Sequence, residues 1–336
     1  MMEYGPPVIL AGYVVFGVWL AARMTLTDTE LTHLPGHLER ARADHFADLG
    51  TRGHHYPVIG GVLRLPWRMP GEYWLLRWVP WMPLRWQLPA ARGFSLIIGA
   101  VGLWAAMQHA TALGGPWAGT LTGLIVATQA TLVGTAATAS YQSSVATLWE
   151  LGLWRGDHVA TVAGVGLAWL RHTSFVMAAL LWMLAWHPAS FAVAGLVGGF
   201  ILVRYPSVWR SLVYRAPFRA VRDRRVRYAL KTCAQRYESF LLWVPLGLLG
   251  RRAMPGRLIG ISLLALTLSH GRRACSWPKL VVGHLYDFHL PVVVALAVML
   301  ASVPVTPWWM GALTFAAAWG LVRLRHPALF LVRASL

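Results

Sequence analysis

The chain is poor in charge, in cysteine and above all in lysine. Charged residues make up 12% of its 336 positions, and only 12 of them are acidic. A soluble globular domain carries about 25% charged residues, so that class is excluded. Lys231 and Lys279 are its lysines, and Cys233 and Cys275 its cysteines. Two cysteines exclude a disulfide-dense scaffold, while pairing of the two and two free thiols stay equally open. Low-complexity tracts and internal repeats are absent. So is any stretch of soluble composition long enough for a second domain, and residues 1–336 read as a single integral membrane domain.

What fills the sequence instead is apolar. Hydrophobic residues reach 57% and the mean hydropathy is +0.52. Apolar runs predict helices near 8–22, 93–112, 117–136, 139–154, 158–170, 173–186, 190–203, 239–250, 257–269, 285–302 and 308–322. The expected fold class is therefore an all-α polytopic membrane protein with about eleven transmembrane helices, several shorter than the roughly 20 residues a bilayer requires. The runs 158–170 and 173–186, parted by Leu170-Arg171-His172, fit either two short helices or one broken one. Glu3 and the lack of Lys or Arg before the first run make that run a retained helix rather than a cleaved signal. No charged residue is expected in the middle of a helix, and lone helical histidines such as His109 and His172 read as satisfied polar groups.

Two intervals are polar. In the first, residues 24–92, Leu38, Ala41, Phe46 and Leu49 share a helical face that suits an interfacial helix. It continues with Trp67, Tyr73, Trp74, Trp78, Trp81 and Trp86, aromatics that favour the headgroup level. The second, residues 204–236, is crowded with arginine. With a cytoplasmic N-terminus, alternation puts both intervals on the outer face and Arg155, Arg251, Arg252 and Arg257 inside. The basic outer loop then opposes the positive-inside tendency.

The net charge of +18 is almost wholly arginine. A GC-rich genome explains such a bias, and so does a need to grip phosphate, which the planar guanidinium holds bidentately. Because the charge lies in loops between apolar runs, anionic lipid or a lipid phosphate fits better than nucleic acid. Asp28 and Glu30 stand just past the first apolar run, where carboxylates are costly and more often functional. The same interval ends in His54-His55-Tyr56-Pro57. His33 and His37 are four apart, but Pro35-Gly36 breaks the helix between them and no third ligand is evident. No metal or other cofactor is indicated.

The order of these features resembles the GT-C superfamily of integral membrane glycosyltransferases, in particular its protein mannosyltransferase and aminoarabinose transferase branch. In that family an acidic motif follows the first helix, and interfacial helices then lead to a His-Tyr-Pro-like element. Asp28-Thr29-Glu30 and His55-Tyr56-Pro57 occupy those places, with Thr29 interrupting the usual adjacent acidic pair. The stretch from Arg92-Gly93-Phe94-Ser95 through Gly114-Gly115 is similar to the family's Arg-x-x-Ser helix and the turn after it. Residues 137–157, with Tyr141, resemble the Tyr-containing segment that follows; residues 164–175 resemble a short Gly-rich helix pair. Residues 283–301 resemble a late helix, with His284 and Tyr286 at its polar entrance.

The resemblance implies a GT-C-like bundle that transfers a sugar from a polyprenyl-phosphate donor at the outer membrane face. On the residues themselves, Asp28 suits a general base and Glu30 a positioning group, or each caps a helix end and pairs with arginine. Arg204, Arg210 and Arg215, nearest the preceding helix, suit a donor phosphate or bulk anionic lipid. His54, His55 and Tyr56 suit substrate hydrogen bonds or a structural turn before Pro57. The Trp67–Trp86 cluster suits a membrane anchor or an acceptor platform. Two other classes remain open: a non-catalytic membrane subunit with protein partners, and a transporter of lipid-linked sugars. The expected location is a bacterial or archaeal cytoplasmic membrane, with lipid and a lipid-linked donor as partners.

Overall fold

The computed structural model describes residues 5–24, 54–58, 61–65, 71–128, 130–139, 142–170, 174–204 and 289–301, together with Leu258 and Ser262. Its long elements are α-helices. They are α1 (Gly5–Arg23), α2 (Gly71–Leu75), α3 (Leu84–Gly114), α4 (Pro116–Thr128), α5 (Ala130–Ala136), α6 (Gln142–Arg155), α7 (Asp157–Leu170), α8 (Phe175–Ala185), α9 (Pro188–Arg204) and α10 (His289–Ala301). A short 3₁₀ turn covers Val79–Trp81. The predicted runs 239–250 and 308–322, nearly all of 257–269 and the interfacial helix at 38–49 lie outside the described residues.

Among the described residues, α1 and α3 are long and apolar enough to cross a bilayer. The 31 residues of α3 span about 45 Å, against about 30 Å of hydrocarbon. Its first turns therefore stand clear of the hydrocarbon core. The polar interval was expected to run to residue 92; the helix in fact begins at Leu84, after Pro83. The Gln87 amide closes the entry by donating to the Met82 carbonyl at 3.0 Å. Ahead of it, Trp74, Trp78, Trp81 and Trp86 are all exposed.

Two tight reversals set the order of the bundle. Gly115 (φ +84°) ends α3, and Gly156 (φ +64°) separates α6 from α7. Only glycine enters that left-handed region without strain, and each donates its N–H back to an unpaired helix carbonyl, of Thr111 and of Gly152. The stretch 158–186 is two antiparallel helices: the Trp182 indole on α8 donates to the Thr161 carbonyl on α7 at 3.1 Å. Gly164 makes this approach feasible, because a Cβ there would sit 2.5 Å from Trp182 Nε1. Small residues at such crossings are how membrane helices gain packing without a hydrophobic driving force.

The core has two lobes. Tyr13, Leu20, Leu103, Met107, Leu121, Ile125 and Val294 join α1, α3, α4 and α10. Trp149, Leu167, Leu181 and Ile201 join α6 to α9. Helix α6 links the two, since Ala146 belongs to the first lobe and Val145 to the second.

One element departs from the all-α expectation. Residues His54–Val58 (β1) and Gly61–Leu65 (β2) form an antiparallel hairpin, pairing His54 with Leu65, His55 with Arg64 and Tyr56 with Leu63. Pro57 is tolerated because a two-stranded ribbon has only edge strands.

The Gly164–Trp182 crossing gives a test of the packing. Gly164→Ala should cost about 1–3 kcal/mol by overpacking and lower the thermal midpoint in detergent. Gly93→Ala, with nothing within 4 Å of its added methyl, should leave the midpoint unchanged. Equal midpoints for the two variants would contradict the close approach.

Candidate functional site

The two ends of the bundle differ, and Met24, the last described residue before Asp28, and the backbone of Arg204 lie at one of them. Arg92, on α3, donates through Nη1 to the Ala21 carbonyl at 2.6 Å and to the Met24 carbonyl at 3.0 Å. The end of α1 and the start of α3 are thereby held together. Gly71, in α2, presses on Trp169 and Leu170, bringing the end of α7 to the aromatic segment. Helix α9 runs parallel to α7: Thr161 bonds Ser190 near their starts, and Trp169 stacks on Phe200 near their ends. The backbone of Arg204 therefore finishes at the end where α7 finishes. Helix α10 runs alongside α3, with Leu290 beside Gly102 and Val298 beside Gly114, so its start faces the Arg92 end. At the opposite end, Trp104 and Trp154 meet edge to face at 5.3 Å, and His158 meets His187 at 5.5 Å.

Asp28 and Glu30 lie outside the described residues, as do Arg210 and Arg215. Their positions in sequence are nonetheless informative. Met24, whose carbonyl Arg92 holds, precedes Asp28 by four residues, and Arg204 is the last residue of α9. His54, His55 and Tyr56 fall in β1, not in a bare turn before Pro57. His33 and His37 also lie outside the described residues; within those residues no cluster of His, Cys, Asp or Glu could hold a metal.

Two features of the helical interior were not anticipated. The first is Arg92 itself, an arginine only 5% exposed. The last carbonyls of a helix have no partner within it, and a buried end must find donors elsewhere. A guanidinium supplies them and places positive charge at the negative end of the helix dipole. Arg23 on α1 turns the other way, its guanidinium 5.0 Å from the Trp19 ring.

The second is Glu150, fully buried inside α6, which overturns the expectation that no charged residue lies mid-helix. His109 on α3 meets it at 2.7 Å through Nδ1, so that histidine is a satisfied polar group as anticipated. The other carboxyl oxygen, Oε2, has no hydrogen-bond partner. The pair fastens α3 to α6 in the half of the bundle away from Arg92. A carboxyl followed by Leu-Gly-Leu-Trp at 151–154 looks like an ordinary helix end in sequence, which is why its depth was missed.

A cleft of about 480 Å³ runs between α1 and α3, lined by Leu10, Val14, Val18, Leu96, Ile97 and Trp104 among others. Its wall is almost wholly apolar. A smaller cavity of about 20 Å³, roughly one water in size, touches Tyr13, Thr135, Ser143 and Thr147.

No protein-family model and no curated protein sequence matches the chain. Among solved structures, it is similar to the crystal structure of ArnT from Cupriavidus metallidurans bound to undecaprenyl phosphate. The superposition has a TM-score of 0.58 at 16% sequence identity. It covers 99% of this chain but 66% of that one, so the chain spans just under two thirds of that protein. This chain shares the fold of that structure, and its described residues are mostly helical.

The buried pair yields a test by double-mutant cycle. Breaking a buried ionisable pair from one side costs about 3–5 kcal/mol, so His109→Leu or Glu150→Leu alone should strongly lower stability in detergent. Replacing both members, His109→Leu with Glu150→Leu, should recover much of that loss, since no polar group is stranded. Additive losses in the cycle would show that the two side chains do not interact.

Proposed function

We propose that this protein is a membrane glycosyltransferase that moves a sugar from a polyprenyl-phosphate donor to an acceptor at the outer face of a bacterial or archaeal cytoplasmic membrane. One observation carries the reading: nearly the whole chain follows the fold of a protein crystallised with undecaprenyl phosphate. The arrangement of the helix ends supports it. The stretch leading to Asp28 and Glu30, the aromatic segment and Arg204 all belong to the Arg92 end of the bundle.

In this reading Asp28 takes the proton from the acceptor hydroxyl as its oxygen attacks the anomeric carbon. The bond from that carbon to the donor phosphate breaks, and the polyprenyl phosphate departs with the electron pair. Glu30 orients the acceptor or the base. Arg204, Arg210 and Arg215 meet the charge growing on the phosphate, the term that preorganised cations serve best. His54, His55 and Tyr56 bind substrate from the hairpin. The exposed tryptophans at 74, 78, 81 and 86 anchor this end among the headgroups.

Asp28→Asn keeps the shape and removes the charge. Turnover should fall by about 10²–10⁴-fold while donor binding stays close to normal. Near-normal turnover by this variant eliminates Asp28 as the base, and an equal loss from Glu30→Gln alone transfers the role to Glu30.

Donor affinity tests the phosphate site. Gln in place of Arg204, Arg210 or Arg215 removes a charge-assisted bond worth about 1.5–3 kcal/mol, or roughly ten- to a hundredfold in affinity. Lys should restore only part of it, because the bidentate fork is lost. A small, uniform loss at all positions means that the loop binds lipid by total charge and holds no donor site.

A further inference from the structure

A transferase base must be placed before it can act, and Met24, the last described residue before Asp28, is held through its carbonyl. Helix α1 ends at Arg23, with Met24 still donating to the Leu20 carbonyl at 2.8 Å. Among the described residues that is the last backbone bond of the helix, and carbonyls left over at a helix end need donors from elsewhere. Ala21 and Met24 find the same atom, Nη1 of Arg92, whose two N–H groups suffice for both.

The position of Arg92 makes this more than a local cap. It lies 22 residues before Gly114, about 33 Å along α3, which puts it at the edge of a hydrocarbon core about 30 Å thick. A guanidinium 5% exposed at that depth is costly to bury unless its donors are used. The cost is sustained here by joining α1 to the helix with the most extensive packing in the first lobe. Around Arg92, Ala91 is fully buried and Leu96 nearly so, which leaves α3 little freedom to shift. Arg23, the other arginine at this junction, is exposed and engaged with Trp19.

We infer that Arg92 is a positioning residue for the proposed transfer: by clamping the Ala21 and Met24 carbonyls it fixes the end of α1 from which the Asp28–Glu30 segment departs. The inference rests on the glycosyltransferase reading for its functional half and on geometry alone for the clamp. Arg92 touches neither donor nor acceptor in this scheme. Its loss therefore acts on turnover through the base and leaves the phosphate contacts alone.

The experiment reads the clamp and the chemistry separately. In full-length protein carrying Cys233→Ser and Cys275→Ser, a nitroxide is attached at Ala22→Cys, exposed in the last turn of α1. A second preparation carries it at Val15→Cys, exposed two turns earlier. With Arg92→Gln, the Ala22 label should become more mobile while the Val15 label keeps its spectrum. The turnover number should fall by about a hundredfold, the scale of a misplaced reacting group, with the donor KM unchanged. Arg92→Lys should return both the label and much of the turnover, because an ammonium can also donate to two carbonyls.

An unchanged Ala22 spectrum in Arg92→Gln overturns the clamp. A loosened label with normal turnover overturns the positioning role. If both labels loosen together, Arg92→Gln has disturbed the whole helix, and Arg92→Lys decides: a tight Ala22 label with restored turnover supports the inference, and a tight label with turnover still lost overturns it. Absence of transfer by the unmutated protein defeats the glycosyltransferase reading, while the label pair still reports on the clamp.

Discussion

A hydrocarbon core offers no water to backbone groups, so every carbonyl that a helix leaves unpaired must be met by the protein itself. Much of this architecture answers that constraint. Within helices, threonine hydroxyls bond back to the preceding turn, as Thr122 does to Ala118 at 2.9 Å and Thr128 to Leu124 at 2.7 Å. At reversals, Gly115 and Gly156 carry the chain through the left-handed region and donate to stranded carbonyls. At the end of α1, Arg92 reaches across from α3. The same constraint explains the scarcity of charge: a buried ionisable group persists only where a partner is close, as His109 is for Glu150.

These choices polarise the bundle. The Arg92 end gathers the departure of the acidic segment, the aromatic segment and the last residue of α9. The Arg155 end carries short turns and aromatic contacts. Polar chemistry placed at the Arg92 end can reach headgroups, while the apolar cleft between α1 and α3 lies along the acyl region.

Helix positions were legible in the sequence because apolar runs in a bilayer protein are long and their interruptions abrupt. Gly114-Gly115 and Gly156 mark reversals that the structure keeps. Starts were less legible: α3 begins at Leu84, inside a Trp- and Arg-rich stretch that hydropathy assigns to the surface. The hairpin at His54–Leu65 was overlooked although Val58-Ile59-Gly60-Gly61-Val62 carries β-branched residues around a glycine turn, because the polar interval around it read as loop. Of the site, the family resemblance marked the acidic pair and the arginine loop; Asp28, Glu30, Arg210 and Arg215 lie outside the described residues. Arg92 was named only as part of a helix motif. Its clamp depends on two carbonyls some 70 positions away in sequence, at separations of 71 and 68, which no local pattern encodes.

The central claim is that this bundle consumes a lipid-linked sugar. Purified protein in lipid nanodiscs, incubated with a panel of polyprenyl-phosphate sugars and candidate hydroxyl acceptors, tests it directly by mass spectrometry of the lipid. The account predicts loss of one sugar-charged lipid, release of its polyprenyl phosphate and a matching gain of mass on an acceptor, all abolished by Asp28→Asn. Persistence of every donor unchanged across the panel, or consumption that Asp28→Asn leaves intact, would contradict it.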